Sequence, residues 1–222
     1  MKGCDPMKKR MLITFISLFI FLLFIQQKEQ WTSVFLVTDQ PDVLMKGNHG
    51  VTLTVDLSFG REDVDEWISK LEKPYPLLFL DADWIERSPL IIKKIKEKNI
   101  PVGLLGQEGK QYEEAPNLLK KEIDRFQSEF GVVPLWYRTK DHTFPKPLKK
   151  QLWDSKINMV SSSVNWTTGN PPTIQNGDIV SVALHQKTRV VLKDLTAFQK
   201  AHPFVSIEET LFGYKTQTKT FP

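Results

Sequence analysis

The sequence predicts an α/β domain built from repeated strand–helix units, set behind an apolar N-terminal segment. Three observations carry that expectation. Short runs of Val, Leu, Ile and Phe alternate with longer stretches whose apolar residues recur every three or four positions. Gly, Pro and Asn punctuate the joins. Strands that alternate with helices feed a largely parallel sheet, open or closed into a barrel. The chain has 222 residues, 41% of them hydrophobic, enough for one such domain with its own core and not comfortably for two.

The N-terminus comes first. Lys8, Lys9 and Arg10 precede MLITFISLFIFLLFI, Met11–Ile25, a run of 15 residues without a charge. No small-x-small cleavage site follows, so an uncleaved transmembrane signal anchor is expected, extended into the interface by Gln26, Gln27 and Trp31. A cleaved signal peptide is the alternative. The basic flank places the N-terminus in the cytoplasm and the domain outside a single-pass membrane protein. Residues 1–30 thus read as flank and anchor, 31–50 as a polar tether with Pro41, Gly47 and Gly50, and 51–222 as the domain.

Within the domain, Val51–Val55 predicts a strand, and Arg61–Leu71 a helix with Val64, Trp67, Ile68 and Leu71 on one face. Pro76–Leu80 is a second strand. Ser88 and Pro89 form an N-cap and first-turn pair that opens Leu90–Lys98. Pro101–Leu105 is a third strand, and Ala115–Phe130 an amphipathic helix closed by Gly131. Leu135–Tyr137, Asn158–Ser162 and Asp178–Leu184 read as strands, with a helix at Pro147–Asp154. Arg189–Lys200 is the last helix and Phe204–Ile207 the last strand.

Charge and cysteine content narrow the function. Five of the 30 basic residues but only two of the 26 acidic ones lie in the first 30 positions, which leaves 25 against 24 and a net charge of +1 beyond them. No basic stripe argues for nucleic acid. The one cysteine, Cys4, precludes an intramolecular disulfide, and it precedes the apolar run, unlike a lipoprotein cysteine. Chemistry is suggested instead by VTLTVDLSFG, Val51–Gly60, a strand that ends by presenting Asp56. Parallel α/β folds place their sites at the C-terminal ends of strands, where Asp56, Gly106–Gly109, Arg138 and His185 would fall together. A carboxylate there also caps turns, an arginine can simply pair it, and His185 can be a core histidine.

The order of segments resembles the NodB-like polysaccharide deacetylases, the metal-dependent carbohydrate esterases. LTVDLSFG is similar to the family's T-F-D-D-G-P, and closer to the T-F-D-x-S-W-G of deacetylase-like proteins linked to spore cortex formation. LLFLDADWIERSPLIIKKIKEKNIPVGLLG is similar to the stretch that runs into the family's G-H-E-I-G-x-H. WYRTKDHTF stands where the family has F-R-P-P-Y-G, VSSSVNW where it has W-S-V-D, GDIVSVALH where it has G-S-I-I-L-L-H, and FVSIEETL where it has F-V-T-L-S-E-L. The resemblance spans about Val51 to about Leu211 and implies an irregular barrel of about seven βα units.

It also implies roles. The family's general base falls on Asp56, its orienting arginine on Arg138 and its late histidine on His185. The metal-binding aspartate falls on Leu57, the H-x-x-x-H pair on Leu105 and Gly109, and the late aspartate on Asn165. Leucine and glycine side chains offer no lone pair, so no metal cofactor is expected, although the family uses a divalent ion, typically zinc. His142 is a candidate to rebuild a metal site with Asp56 and His185. Trp84, Trp136, Tyr137 and Trp166 are candidates to stack on sugar rings, with core packing the alternative. Asp81 and Asp83 read as loop and cap residues, Glu108 and Lys110 as solvated. Two functions follow as expectations: a membrane-anchored deacetylase-like protein that binds N-acetylated glycan such as peptidoglycan, or a partner protein, without the metal; and an active hydrolase removing N-acetyl groups with Asp56, Arg138 and His185.

Overall fold

The structure, a computed structural model, describes residues 36–59, 62–184 and 189–213. The expected anchor, Met11–Ile25, lies outside these residues. Among the described residues no helix is long and apolar enough to cross a membrane.

Eight strands and eight helices are described. The strands are β1 (Val43–Leu44), β2 (Thr52–Leu57), β3 (Leu77–Asp81), β4 (Val102–Gly106), β5 (Trp136–Thr139), β6 (Asn158–Val160), β7 (Val164–Trp166) and β8 (Ile179–Ala183). The helices are α1 (Glu62–Lys70), α2 (Ala82–Arg87), α3 (Pro89–Glu97), α4 (Gln111–Glu114), α5 (Leu118–Phe130), α6 (Lys146–Asp154), α7 (Leu192–Ala201) and α8 (Ile207–Phe212). The strands form one sheet in the order β1-β6-β5-β4-β3-β2-β8-β7, and all its ladders are parallel.

That order curls the sheet into an incomplete barrel. β6 and β7 stand far apart in the sheet, yet only Ser161–Ser163 separate them in the chain. The Ser161 N–H donates to Leu44 O of β1, and the Ser163 N–H to Ile179 O of β8. The gap in the ring is therefore spanned by chain continuity between β6 and β7, not by a ladder between the edge strands β1 and β7.

The period of two along each strand sorts side chains between inside and outside. In TLTVDL of β2 all six residues are buried. Leu53, Val55 and Leu57 point outward and join the cluster that packs the helices. Thr52, Thr54 and Asp56 occupy the other, inner face. Inside, Leu77, Phe79, Leu105, Trp136, Val160 and Ile179 pack with Ile207 of α8 in a smaller second core. α8 thus closes the end where the strands begin. The Ser206 Oγ accepts from Glu209 N and caps it, and Thr52 Oγ1 lies 2.6 Å from Thr210 Oγ1.

The structure corrects the expected element list in three places. Phe204–Ile207 is not a strand: the S-x-x-E pattern at Ser206 nucleates α8. Residues 36–50, expected as part of a tether, belong to the domain. Val43 and Leu44 pair with β6, Val37 N donates to Asn158 Oδ1 at 2.9 Å, and Lys46 bridges Asp178 in backbone and at 2.9 Å in side chain. Short α2, α4 and β7 were not foreseen; α2 exists because Asp81 caps it by accepting from Trp84 N at 3.0 Å.

The N-terminal segment docks on a close approach. A Cβ on Gly47 would stand 2.2 Å from Thr210 O. Gly47→Ala should therefore destabilise the domain by about 1–3 kcal/mol in urea unfolding, the usual range for overpacking; an unchanged midpoint would mean that this segment is not docked in solution.

Candidate functional site

The inner face of β2 sets the site. Asp56 and Arg138 are brought together as expected, and both side chains have 0% exposure. Arg138 reaches across the barrel from β5. Its Nη1 donates to Asp56 Oδ1 at 2.9 Å, Thr54 Oγ1 at 2.7 Å and Ser181 Oγ at 3.1 Å. Its Nη2 donates to Ser161 O at 2.8 Å and its Nε to Val160 O at 3.2 Å. Ser181 Oγ donates to Asp56 Oδ2 at 3.0 Å. The guanidinium also lies 4.2 Å over the Phe79 ring. Burial pulls the Arg138 pKa below its usual value, and the Asp56 charge opposes that pull.

A general base must reach substrate or water, and Asp56 has no exposed surface here. Its two oxygens are held by Arg138 and Ser181, so the arrangement satisfies a buried carboxylate more completely than it presents one. His185, the third residue expected in this group, lies outside the described residues.

The positions assigned to metal ligands do not fit a metal. Leu57 belongs to the outer core and Leu105 to the inner one, both with 0% exposure. At Gly109 a Cβ would meet Thr143 O at 2.5 Å, so no larger side chain fits without movement of that loop. The Gly109 N–H instead donates to both oxygens of Asp141, at 3.0 and 3.2 Å. His142 has φ +57°, and its Nδ1 lies 3.0 Å from Ser161 Oγ. Among the described residues no three His, Cys, Asp or Glu side chains are grouped to hold a metal ion.

The stacking candidates are core residues, which corrects that expectation. Trp136 is 4% exposed and its Nε1 donates to Glu208 Oε1 at 3.3 Å, at the end of the barrel where the strands begin. Tyr137 points outward and packs edge-on against Tyr112 and Phe144 at 6.4 Å. Trp166 lies 4.9 Å from the Phe198 ring, and Trp84 is 2% exposed. None of the four offers a face to a sugar.

A second constellation, not singled out from the sequence, sits on the rim where β3, β4 and β5 end. Asp81 accepts from Lys140 Nζ at 2.7 Å and from Gln107 Nε2 at 3.1 Å. Behind them Glu122 of α5 is 2% exposed. Its Oε2 accepts from the Tyr112 hydroxyl at 2.7 Å, and that hydroxyl accepts from Gln107 N at 2.6 Å. Only glycine at 106 admits this arrangement, since a Cβ would stand 1.9 Å from the Tyr137 hydroxyl and 2.4 Å from that of Tyr112. Burial pushes the Glu122 carboxyl up to about 7, with the Asp81 charge adding to the rise. The one hint in the sequence is the polar Glu122 at a position where Leu119 and Phe126 flank it on the apolar face of α5.

These features meet an established architecture among solved structures. A family 4 carbohydrate esterase pseudoenzyme from Bacillus anthracis matches with a TM-score of 0.62 at 17% identity, over 77% of this chain and 69% of that one. A chitin deacetylase from the fungus Colletotrichum lindemuthianum matches with a TM-score of 0.63 at 15% identity, over 79% and 93%. The peptidoglycan deacetylase of Bacillus subtilis gives 0.59 at 12% identity, over 73% and 90%. The fold is that of the family 4 carbohydrate esterases. The match spans 66% of the length of a mutant form of the pseudoenzyme. No protein-family model and no curated relative matches the chain.

The Arg138–Asp56 pair is testable by a double-mutant cycle. Arg138→Met and Asp56→Asn should each lower stability by about 3–5 kcal/mol, because each strands a buried polar partner. The double variant should lose less than the sum. Glu122 gives a second test. Its folded pKa lies above the unfolded 4.5, so its contribution is present below about 4.5 and is lost as pH rises through about 7. Stability should fall by on the order of 3 kcal/mol across that window. Glu122→Gln should flatten the profile in thermal melts taken from pH 4 to 8; an unaltered slope would remove Glu122 as its cause.

Proposed function

We propose that this chain is a membrane-anchored, deacetylase-like protein that binds an N-acetylated glycan such as peptidoglycan without metal-dependent hydrolysis. The observation that carries the reading is the filled barrel axis. Leu105 packs in the inner core, Asp56 is enclosed by Arg138 and Ser181, and the other two positions where metal ligands are expected, Leu57 and Gly109, carry no donor side chain. Support for the glycan comes from the fold shared with peptidoglycan and chitin deacetylases, and with a pseudoenzyme that regains activity in a mutant form. Met11–Ile25 supplies the anchor in this proposal, with the domain outside the cell. The likeness of LTVDLSFG to the T-F-D-x-S-W-G pattern extends the reading to the spore cortex.

The competing reading, a hydrolase built on Asp56, Arg138 and His185, makes a different prediction with the same material. Full-length protein is incubated with zinc and insoluble peptidoglycan, and both acetate release and co-sedimentation are measured. The expected result is sedimentation with the glycan and no acetate above a protein-free control. Zinc-dependent acetate release that disappears in Asp56→Asn would replace our reading with the hydrolase. Absence of both would reject the glycan as ligand. Removing residues 11–25 should release the protein from membranes under alkaline carbonate washing.

A further inference from the structure

A hydroxyl and an imidazole meet at the strand ends. His142 follows β5 and Ser161 follows β6, and these two strands are neighbours in the sheet. The imidazole Nδ1 lies 3.0 Å from Ser161 Oγ. A base activates a hydroxyl nucleophile across such a distance. With its ring proton on Nε2, the imidazole accepts the Ser161 O–H at Nδ1.

Both partners are held from behind. The His142 N–H donates to Thr139 O at 3.1 Å and closes a turn. Asp141 ties that turn to its surroundings, accepting from Gly109 N at 3.0 and 3.2 Å and from Thr143 N at 3.1 Å. His142 itself takes φ +57°. The other two non-glycine residues with positive φ among the described residues, Asn99 and Lys156, follow α3 and α6, where a left-handed residue ends a helix. His142 ends no helix. The rim turn imposes its conformation, and backbone of this kind collects at functional sites. Ser161 is fixed through its backbone. Its N–H donates to Leu44 O at 2.7 Å, and its carbonyl accepts from Arg138 Nη2 at 2.8 Å. Its side chain carries the contact with the imidazole. Asp56 has no exposed surface, whereas Ser161 retains 6% and His142 is only partly buried.

We propose that Ser161 and His142 form a metal-free nucleophile–base pair that hydrolyses short acyl esters. Ser161 Oγ attacks the ester carbonyl carbon while its proton passes to His142. The bond from that carbon to the alcohol oxygen then breaks, and the imidazolium gives its proton to the departing alkoxide. Water repeats the sequence on the acyl-serine. Its oxygen adds to the carbonyl, one of its protons passes through His142 to Ser161 Oγ, and a carboxylic acid leaves. No metal, oxidant or further reactant enters. The small opening at Ser161 selects a short acyl group such as acetyl. Esters are the class because an alkoxide departs far more readily than an amide nitrogen. The proposal goes beyond the glycan reading and stands without it. N-acetyl amides fall outside this class, so the pair releases no acetate from an N-acetylated glycan.

The test is hydrolysis of p-nitrophenyl acetate by the full chain in detergent micelles, with EDTA present. We expect saturable turnover that EDTA leaves unchanged. Ser161→Ala and His142→Gln should each lower kcat by about a hundredfold or more, the usual contribution of a general base. Thermal melts establish that both variants are folded. A fluorophosphonate should inactivate the wild-type protein and leave its phosphonyl group on Ser161, read by peptide mass spectrometry. A merely structural hydrogen bond would give no such label, and this measurement needs no variant. Turnover no faster than in buffer and detergent alone, full activity in folded Ser161→Ala, or a phosphonyl group found only on other residues would each overturn the proposal.

Discussion

The guanidinium of Arg138 organises the barrel interior. It contacts β2 through Thr54 and Asp56, β8 through Ser181, and the β6–β7 junction through the carbonyls of Val160 and Ser161. The last contact matters most for shape. No strand ladder closes the ring between β6 and β7, so the carbonyls at that seam need donors from elsewhere. A planar, five-donor group can supply several partners at once, which lysine cannot. The charge this places in the interior is balanced by Asp56, and its flat face rests on Phe79. A buried pair of this kind is not a large source of stability by itself, since desolvation offsets much of the attraction. Its effect is to penalise any arrangement in which one of its partners is displaced.

The same network bears on chemistry. A catalytic carboxylate has to keep lone pairs for water or substrate, and a metal site has to keep space. Asp56 gives both oxygens to Arg138 and Ser181, Leu105 fills the axis beside Phe79 and Trp136, and the Gly109 loop is drawn onto Asp141. These features reinforce one another. Leu105 presents no polar group on the inner face, and the network around Arg138 closes over Asp56. The axis is thus one continuous arrangement, apolar at Leu105 and Phe79 and internally hydrogen-bonded at Asp56.

Much of this was legible in the sequence. The alternation of strand and helix, the Ser88–Pro89 helix start and the closing Gly131 all follow local rules, and the elements lie within a few residues of where those rules place them, although the Ser88 side chain makes no capping bond. The pairing of Asp56 with Arg138 was also expected, because both fall at the ends of parallel strands. Burial was not legible. Trp136, Tyr137 and Trp166 look alike as candidates for a sugar platform, and only the tertiary arrangement sends one inward onto Ile207, one outward onto Tyr112 and one onto Phe198. The segment 36–50 escaped for a related reason. Its strand has two residues, and its other ties, Lys46 to Asp178 and Gly47 against Thr210, join positions far apart in the chain. Nor could Glu122 be recognised, since its partner Tyr112 lies on a four-residue helix with no periodic signal.

Closing the axis does not remove the capacity for binding from the strand ends. Parallel strands still stop at different heights, and the loops that follow them must carry polar groups into water. In this chain Asp81, Gln107 and Lys140, on three neighbouring strands, form a charged ledge beside the covered axis. These polar residues satisfy one another: Asp81 accepts from Lys140, Gln107 and the Trp84 N–H, and Lys140 donates to Gln107 as well. Behind that ledge Glu122 is held in the wall by the Tyr112 hydroxyl on one oxygen, with the Tyr137 hydroxyl close by. The rim is thus tied to the helix layer through Glu122 and Tyr112, as the axis is tied to itself through Arg138, and the two polar networks share no residue.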